Sequence, residues 1–112
     1  MDDVFSSFLF IKRKGVYQKT AINEIVLLEA NGDYVVGHLI DQEKFVIRTT
    51  LSKMGELLST DNFMRVHRSY IIQFQHITGV NFQDNNLYLG ELSVPINRGS
   101  RKKLMELITR LE

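Results

Sequence analysis

The feature that most constrains this chain is a rhythm. Short runs rich in Val, Ile, Leu, Phe and Tyr recur along it, broken by turn-forming residues every eight to twelve positions. That spacing belongs to an all-β domain built from hairpins, because each run is long enough for one strand and too short for a helix. It predicts strands at Phe8–Lys12, Val16–Thr20, Ile25–Glu29, Tyr34–Ile40, Lys44–Thr49, Phe63–Val66, Ile71–Phe74, Ile77–Phe82, Asn86–Leu89 and Leu92–Ile96. The reversals fall at Gly15, Asn31-Gly32-Asp33, Asp41-Gln42, Asp84-Asn85 and Gly90. These residues supply positive φ or local side-chain hydrogen bonds.

Two stretches break the period of two. After Thr50, a residue suited to an N-cap, Leu51, Met54, Leu57 and Leu58 recur at helical spacing, which predicts a short helix over 51–59. Leu104, Leu107, Ile108 and Leu111 make a similar stripe, opposite Lys and Arg, in a second helix over about 100–111.

A chain of 112 residues has apolar material for one core, so residues 8–112 are expected to form one domain. Residues 1–7 are expected to be the remnant of an interdomain linker. With no cysteine and one proline, Pro95, neither a disulfide framework nor a thiolate metal site is available. No apolar run approaches the roughly 18 to 20 residues that span a bilayer, and Met1-Asp2-Asp3 is acidic where a signal peptide is basic. A cytoplasmic domain with no membrane partner is expected.

The net charge of +1 selects no partner, but its distribution is uneven. Residues 1–62 hold seven Lys/Arg against nine Asp/Glu, and residues 63–112 hold seven against four. The basic surplus is C-terminal.

Three polar clusters lie between apolar strands. In Phe63-Met64-Arg65-Val66-His67-Arg68-Ser69-Tyr70, a strand over 63–66 puts Phe63 and Arg65 on one face and Met64 and Val66 on the other. His67, Arg68 and Ser69 then fall at the turn. A guanidinium beside a hydroxyl and an imidazole suits an anion or a base edge; equally, the arginines could be plain surface charges and His67 a core histidine. The second cluster, Glu29-Ala30-Asn31-Gly32-Asp33-Tyr34, could touch DNA, since Asn pairs bidentately with adenine and Tyr can donate to phosphate. Asn-Gly is also a strong hairpin signal. The third, Pro95 to Lys103, sets Asn97, Arg98, Ser100, Arg101 and Lys102 around a helix N-terminus, where backbone N–H groups favour anions.

Catalytic patterns are sparse. There is no nucleophile elbow, no phosphate-binding glycine loop and no metalloprotease motif, and His38, His67 and His76 lack metal-ligand spacing. A nuclease using Glu29 and Asp33 as metal ligands, with Arg68 steering phosphate, rests only on two carboxylates around a turn. No enzyme, cofactor or metal is expected.

Together and in this order, these pieces resemble the LytTR family. The opening segment Phe8 to Lys12 is followed by I-x-x-I-x-x-[IL]-E-A-x-G-[DN]-Y, matched by Ile22 to Tyr34. A leucine pair, Leu57-Leu58, precedes F-x-R-V-H-R-S-Y at Phe63 to Tyr70, and V-P-[IV]-[SN]-R closes at Val94 to Arg98. The resemblance covers residues 8–111. It implies a mostly β, elongated β-β-β arrangement of about ten strands with two short helices, whose loops enter successive major grooves of double-stranded DNA and bend it. It further implies that Asn31, Tyr34, Arg68, Asn97 and Arg98 contact bases, while Arg65, His67, Ser69, Ser100 and Lys102 lie nearer phosphate. The resemblance also implies the output domain of a two-component response regulator, since most such domains follow a receiver domain that often drives dimerisation on paired direct repeats. This fragment alone is expected to be monomeric. The competing expectation is an all-β module whose His67-Arg68-Ser69 loop captures a phosphopeptide or an acidic protein partner.

Overall fold

A computed structural model describes residues 8–58 and 62–109. Among them the strands run β1 (Phe8–Arg13), β2 (Val16–Ala21), β3 (Ile25–Asn31), β4 (Tyr34–Leu39) and β5 (Lys44–Ile47), then helix α1 (Leu51–Leu57). There follow β6 (Phe63–His67), β7 (Tyr70–Gln73), β8 (Gly79–Asn81), β9 (Asn86–Leu89), β10 (Leu92–Pro95) and helix α2 (Arg98–Thr109). The expected linker remnant at 1–7, the end of the first helix at Ser59 and the stripe residue Leu111 lie outside the described residues.

The strands form three antiparallel sheets: β1-β2, a central sheet in the order β5-β4-β3-β7-β6, and β10-β9-β8. The central sheet is covered on both faces. On one face Leu28, Val35, Phe45 and Ile71 pack with Ile11 of the first hairpin and with Leu51, Met54 and Leu58 at α1. On the other, Leu27, Val66 and Ile72 pack with Leu87, Leu89 and Val94 of the third sheet and Leu104 of α2. This explains why Ile25, Val26, Leu27 and Leu28 of β3 are all buried, since a strand covered on both sides reads as a continuous apolar run. A register shift against β4 between Ile25 and Leu27 sends Ile25 and Leu28 to the first face and Val26 and Leu27 to the second.

Several boundaries move for local reasons. β5 stops at Ile47 rather than Thr49, and Thr50 Oγ1 accepts from Lys53 N at 3.1 Å to cap α1. Leu57, expected on the packed stripe, is 63% exposed, while Leu51, Met54 and Leu58 are buried. The strand expected over Ile77–Phe82 contracts to Gly79–Asn81, after a 3-10 turn at Phe74–His76 in which His76 Nε2 donates to the Asn23 carbonyl at 2.6 Å. Gln73, one of the buried polar residues, donates through Nε2 to the carbonyls of Ile22 and Ile25 and so ties β7 to the start of β3. α2 starts at Arg98, two residues early, and Asn97 provides the cap, its Oδ1 accepting from Ser100 N at 2.8 Å.

Candidate nucleic-acid interface

β6 and β7 end in a two-residue loop. His67 pairs with Tyr70, so Arg68 and Ser69 form its tip, and a register shift between Arg65 and His67 precedes it. His67 closes β6 rather than standing in the turn: its Nδ1 accepts from Ser69 N at 3.1 Å, and its ring lies 5.7 Å from that of Tyr70. The face assignment read from the sequence holds, with Phe63 packed on the α1 side and Met64 and Val66 on the α2 side. Arg65 reaches toward the tip, donating from Nη2 to the Arg68 carbonyl at 2.6 Å and from Nη1 to Ser52 Oγ at 3.4 Å. The Arg68 side chain is exposed.

The other two polar clusters dock on this hairpin. Ala30 N donates to the Ser69 carbonyl at 2.9 Å, which joins it to the β3–β4 tip. There Asn31 pairs with Tyr34 and Gly32 turns the chain at φ +60°. Asn31, Gly32, Asp33 and Tyr34 are all exposed. From the other side, Asn97 N donates to the Val66 carbonyl at 2.8 Å, and Ser100 Oγ to the Arg65 carbonyl at 3.0 Å. Ser100 is 8% exposed and both its N–H and its hydroxyl are engaged internally, whereas Asn97, Arg98 and Lys102 are exposed. Arg101 is half-buried, with Nε donating to the Phe82 carbonyl and its guanidinium over the Phe82 ring. Three segments distant in sequence therefore meet at one end of the central sheet, with the β6–β7 tip between the other two.

Glu29, weighed above as a metal ligand, turns away from this end. Its Oε1 lies 3.1 Å from His38 Nε2, and its Oε2 accepts from the Tyr70 hydroxyl at 3.5 Å. Burial, the Glu29 charge and that hydrogen bond hold the Tyr70 phenol above its ordinary value, so it remains a donor. Asp33 lines instead an open cleft of about 450 Å³ with Tyr34, Arg48, Ser52 and Arg65. Sequence reasoning missed Arg48. The signal that finds it is strand register: Val35 pairs with Ile47, which brings the residue after Ile47 alongside Tyr34.

The arrangement presents guanidinium, amide and phenol donors on short loops rooted in a packed sheet, as direct contact with phosphates and base edges requires. No helix among the described residues is long and apolar enough to cross a membrane. The family model of the LytTr DNA-binding domain matches residues 16–109. Two sensory transduction proteins LytT, from Bacillus anthracis and Bacillus cereus, are each 34% identical over 99 residues, 78% of this chain and 40% of the relative. The chain thus spans about two-fifths of the length of these relatives. The solved structure of a LytTr DNA-binding domain from Bacillus cereus superposes with a TM-score of 0.77 at 20% identity, covering 91% of this chain and 96% of that one, which shows the shared fold. The ten strands, the three converging loops and the family match agree, and the chain belongs to the LytTr DNA-binding domain family.

Proposed function

We propose that this domain recognises double-stranded DNA in a sequence-specific way through its three converging loops, inserted into successive major grooves. It would do so as the transcription-regulating output of a response regulator. The observation that carries the reading is the convergence itself: the tips bearing Asn31, Tyr34, Arg68, Asn97 and Arg98 are hydrogen-bonded into one surface, with both arginine side chains exposed. Arg68 and Arg98 read base edges, for which a guanidinium facing guanine is the commonest specific contact. Asn31, Tyr34 and Asn97 supplement them. His67, Ser69, Lys102 and Arg48 lie nearer phosphate, where contacts position the protein without reading sequence. Arg65 and Ser100, with internal partners, support the loops from beneath.

In the longer protein, a cytoplasmic receiver domain brings two such domains onto paired direct repeats. On this reading the isolated domain is expected to be monomeric, checked by sedimentation, and to bind one half-site weakly.

Selection of the domain against a random duplex library at moderate salt tests the reading. Two short specified blocks about one helical turn apart are expected in the bound pool. Arg68→Ala and Arg98→Ala are each expected to cost roughly 1 to 3 kcal/mol and to relax one position, whereas Lys102→Ala and Arg48→Ala weaken all duplexes about equally and flatten the salt dependence. If both arginine variants bind the selected duplex as the parent does, the assignment of these loops to base reading fails.

A further inference from the structure

The Arg68-Ser69 tip differs from the other two-residue hairpin turns of this domain. The turns at Lys14-Gly15, Gly32-Asp33 and Gly90-Glu91 all place their first central residue at positive φ, between +53° and +64°. That conformation matches the twist of the flanking strands, so the turn closes on backbone geometry alone. Neither Arg68 nor Ser69 has a positive φ. A two-residue turn of that kind tends to splay its strands, and here three backbone groups of the tip are held by other means. Ser69 N goes to His67, the Ser69 carbonyl to Ala30, and the Arg68 carbonyl to the guanidinium of Arg65.

The last of these bonds is charge-assisted and, at 2.6 Å, the shortest at the tip. The same guanidinium reaches Ser52 in the first turn of α1, and the Arg65 backbone carbonyl receives the Ser100 hydroxyl from α2. Arg65 thus links the reading tip to both helices.

We infer that Arg65 is a positioning residue: its guanidinium grips the Arg68 carbonyl and sets the direction from which the Arg68 side chain approaches a base. The inference rests on the proposed reading of DNA by Arg68 and deepens it. A base-reading arginine must have a fixed root, because a long side chain on a loose loop reaches many base edges about equally well. Lysine cannot replace the brace. It keeps the positive charge but lacks the planar fork that serves two acceptors at once.

The test is equilibrium binding of the parent domain, Arg65→Lys, Arg65→Gln and Arg68→Ala across a salt series. The duplexes are the one recovered by library selection and two copies of it, each altered at the base pair that Arg68→Ala or Arg98→Ala shows to be read by that arginine. Arg65→Lys is expected to weaken the selected duplex about tenfold and to bring discrimination at the Arg68-dependent pair close to one. It should retain the parental salt slope, because the charge persists. Discrimination at the Arg98-dependent pair is expected to survive, because the backbone carbonyl that holds Ser100 is unchanged. In the free domain, amide exchange at Arg68 and Ser69 should accelerate in Arg65→Lys while exchange at Gly32 and Asp33 does not. The inference is overturned if Arg65→Lys binds and discriminates like the parent while Arg65→Gln lowers the salt slope by about 0.9, the signature of a direct phosphate contact. It is also overturned if both variants leave discrimination at the Arg68-dependent pair intact. If Arg68→Ala itself loses no discrimination anywhere, the reading of DNA by this loop fails as well, an outcome the Arg68→Ala arm identifies separately.

Discussion

The β3–β4 and β6–β7 hairpins end side by side, yet their tips are held by different means. The first turns on Gly32 at φ +60°, with its four tip residues exposed, and its support comes from the packed strands below. The second has no positive φ and is held by side chains at the tip itself: Arg65 on one carbonyl and His67 on one amide. One design fixes a loop through the core beneath it, and the other through polar contacts that can be removed one at a time without disturbing that core. Core support makes a tip insensitive to surface substitution. Polar support makes a tip tunable, which suits the loop whose arginine is proposed to read sequence.

The largest expected effect strikes the core support of the first hairpin. Gly37 of β4 pairs with Phe45 of β5, and a Cβ at position 37 would land on the Phe45 ring, which is 2% exposed. The ring has no room to retreat. Gly37→Ala is therefore expected to destabilise the domain by about 3 kcal/mol, read from urea unfolding. A cost under about 1 kcal/mol would mean that the strands yield and that the first tip is not anchored by them.

Gly32→Ala sharpens the same contrast from the other side. Nothing lies within 4 Å of a Cβ built there, so the only penalty is the left-handed backbone. About 1 kcal/mol of stability is expected to be lost. A loss as large as that of Gly37→Ala would show that the first tip is packed after all, and the distinction between the two hairpins would collapse.

How far this architecture can be read without coordinates follows the same division. All ten strands were legible, because period-two runs and turn residues are local properties of a chain. The β3 bulge was not, since Ile25 to Leu28 is uniformly apolar and carries no mark of which residue faces which layer. The three polar clusters stood out as polar residues between apolar strands. Their junctions did not: the Ser100 bond to the Arg65 carbonyl spans 35 positions, and the role of Arg65 depends on a carbonyl that any residue at 68 would supply. Arg48 was hidden because its place beside Tyr34 is a matter of strand register. Short-range chemistry announces candidates, and pairing decides which of them support and which make contact.

The smallest expected effect concerns the strand side of the second tip. Tyr70 follows Ser69 directly, sets its ring at a tilt beside that of His67 and donates to Glu29, which also meets His38. Its phenol is held above the ordinary value of 10.0, first by burial and then by the Glu29 charge and hydrogen bond. The folded state thus keeps this proton to higher pH than the unfolded chain does. The resulting stabilisation is fully present below the unfolded pKa, near 10, and is lost as pH rises through the higher folded value. The difference in melting temperature between the parent and Tyr70→Phe should accordingly shrink as pH climbs above about 10, because the variant has no proton to lose at that position. A gap that holds constant to pH 11 would mean that the phenol contributes packing alone. The second tip would then depend on Arg65 and His67, with no titrating support from the strand behind it.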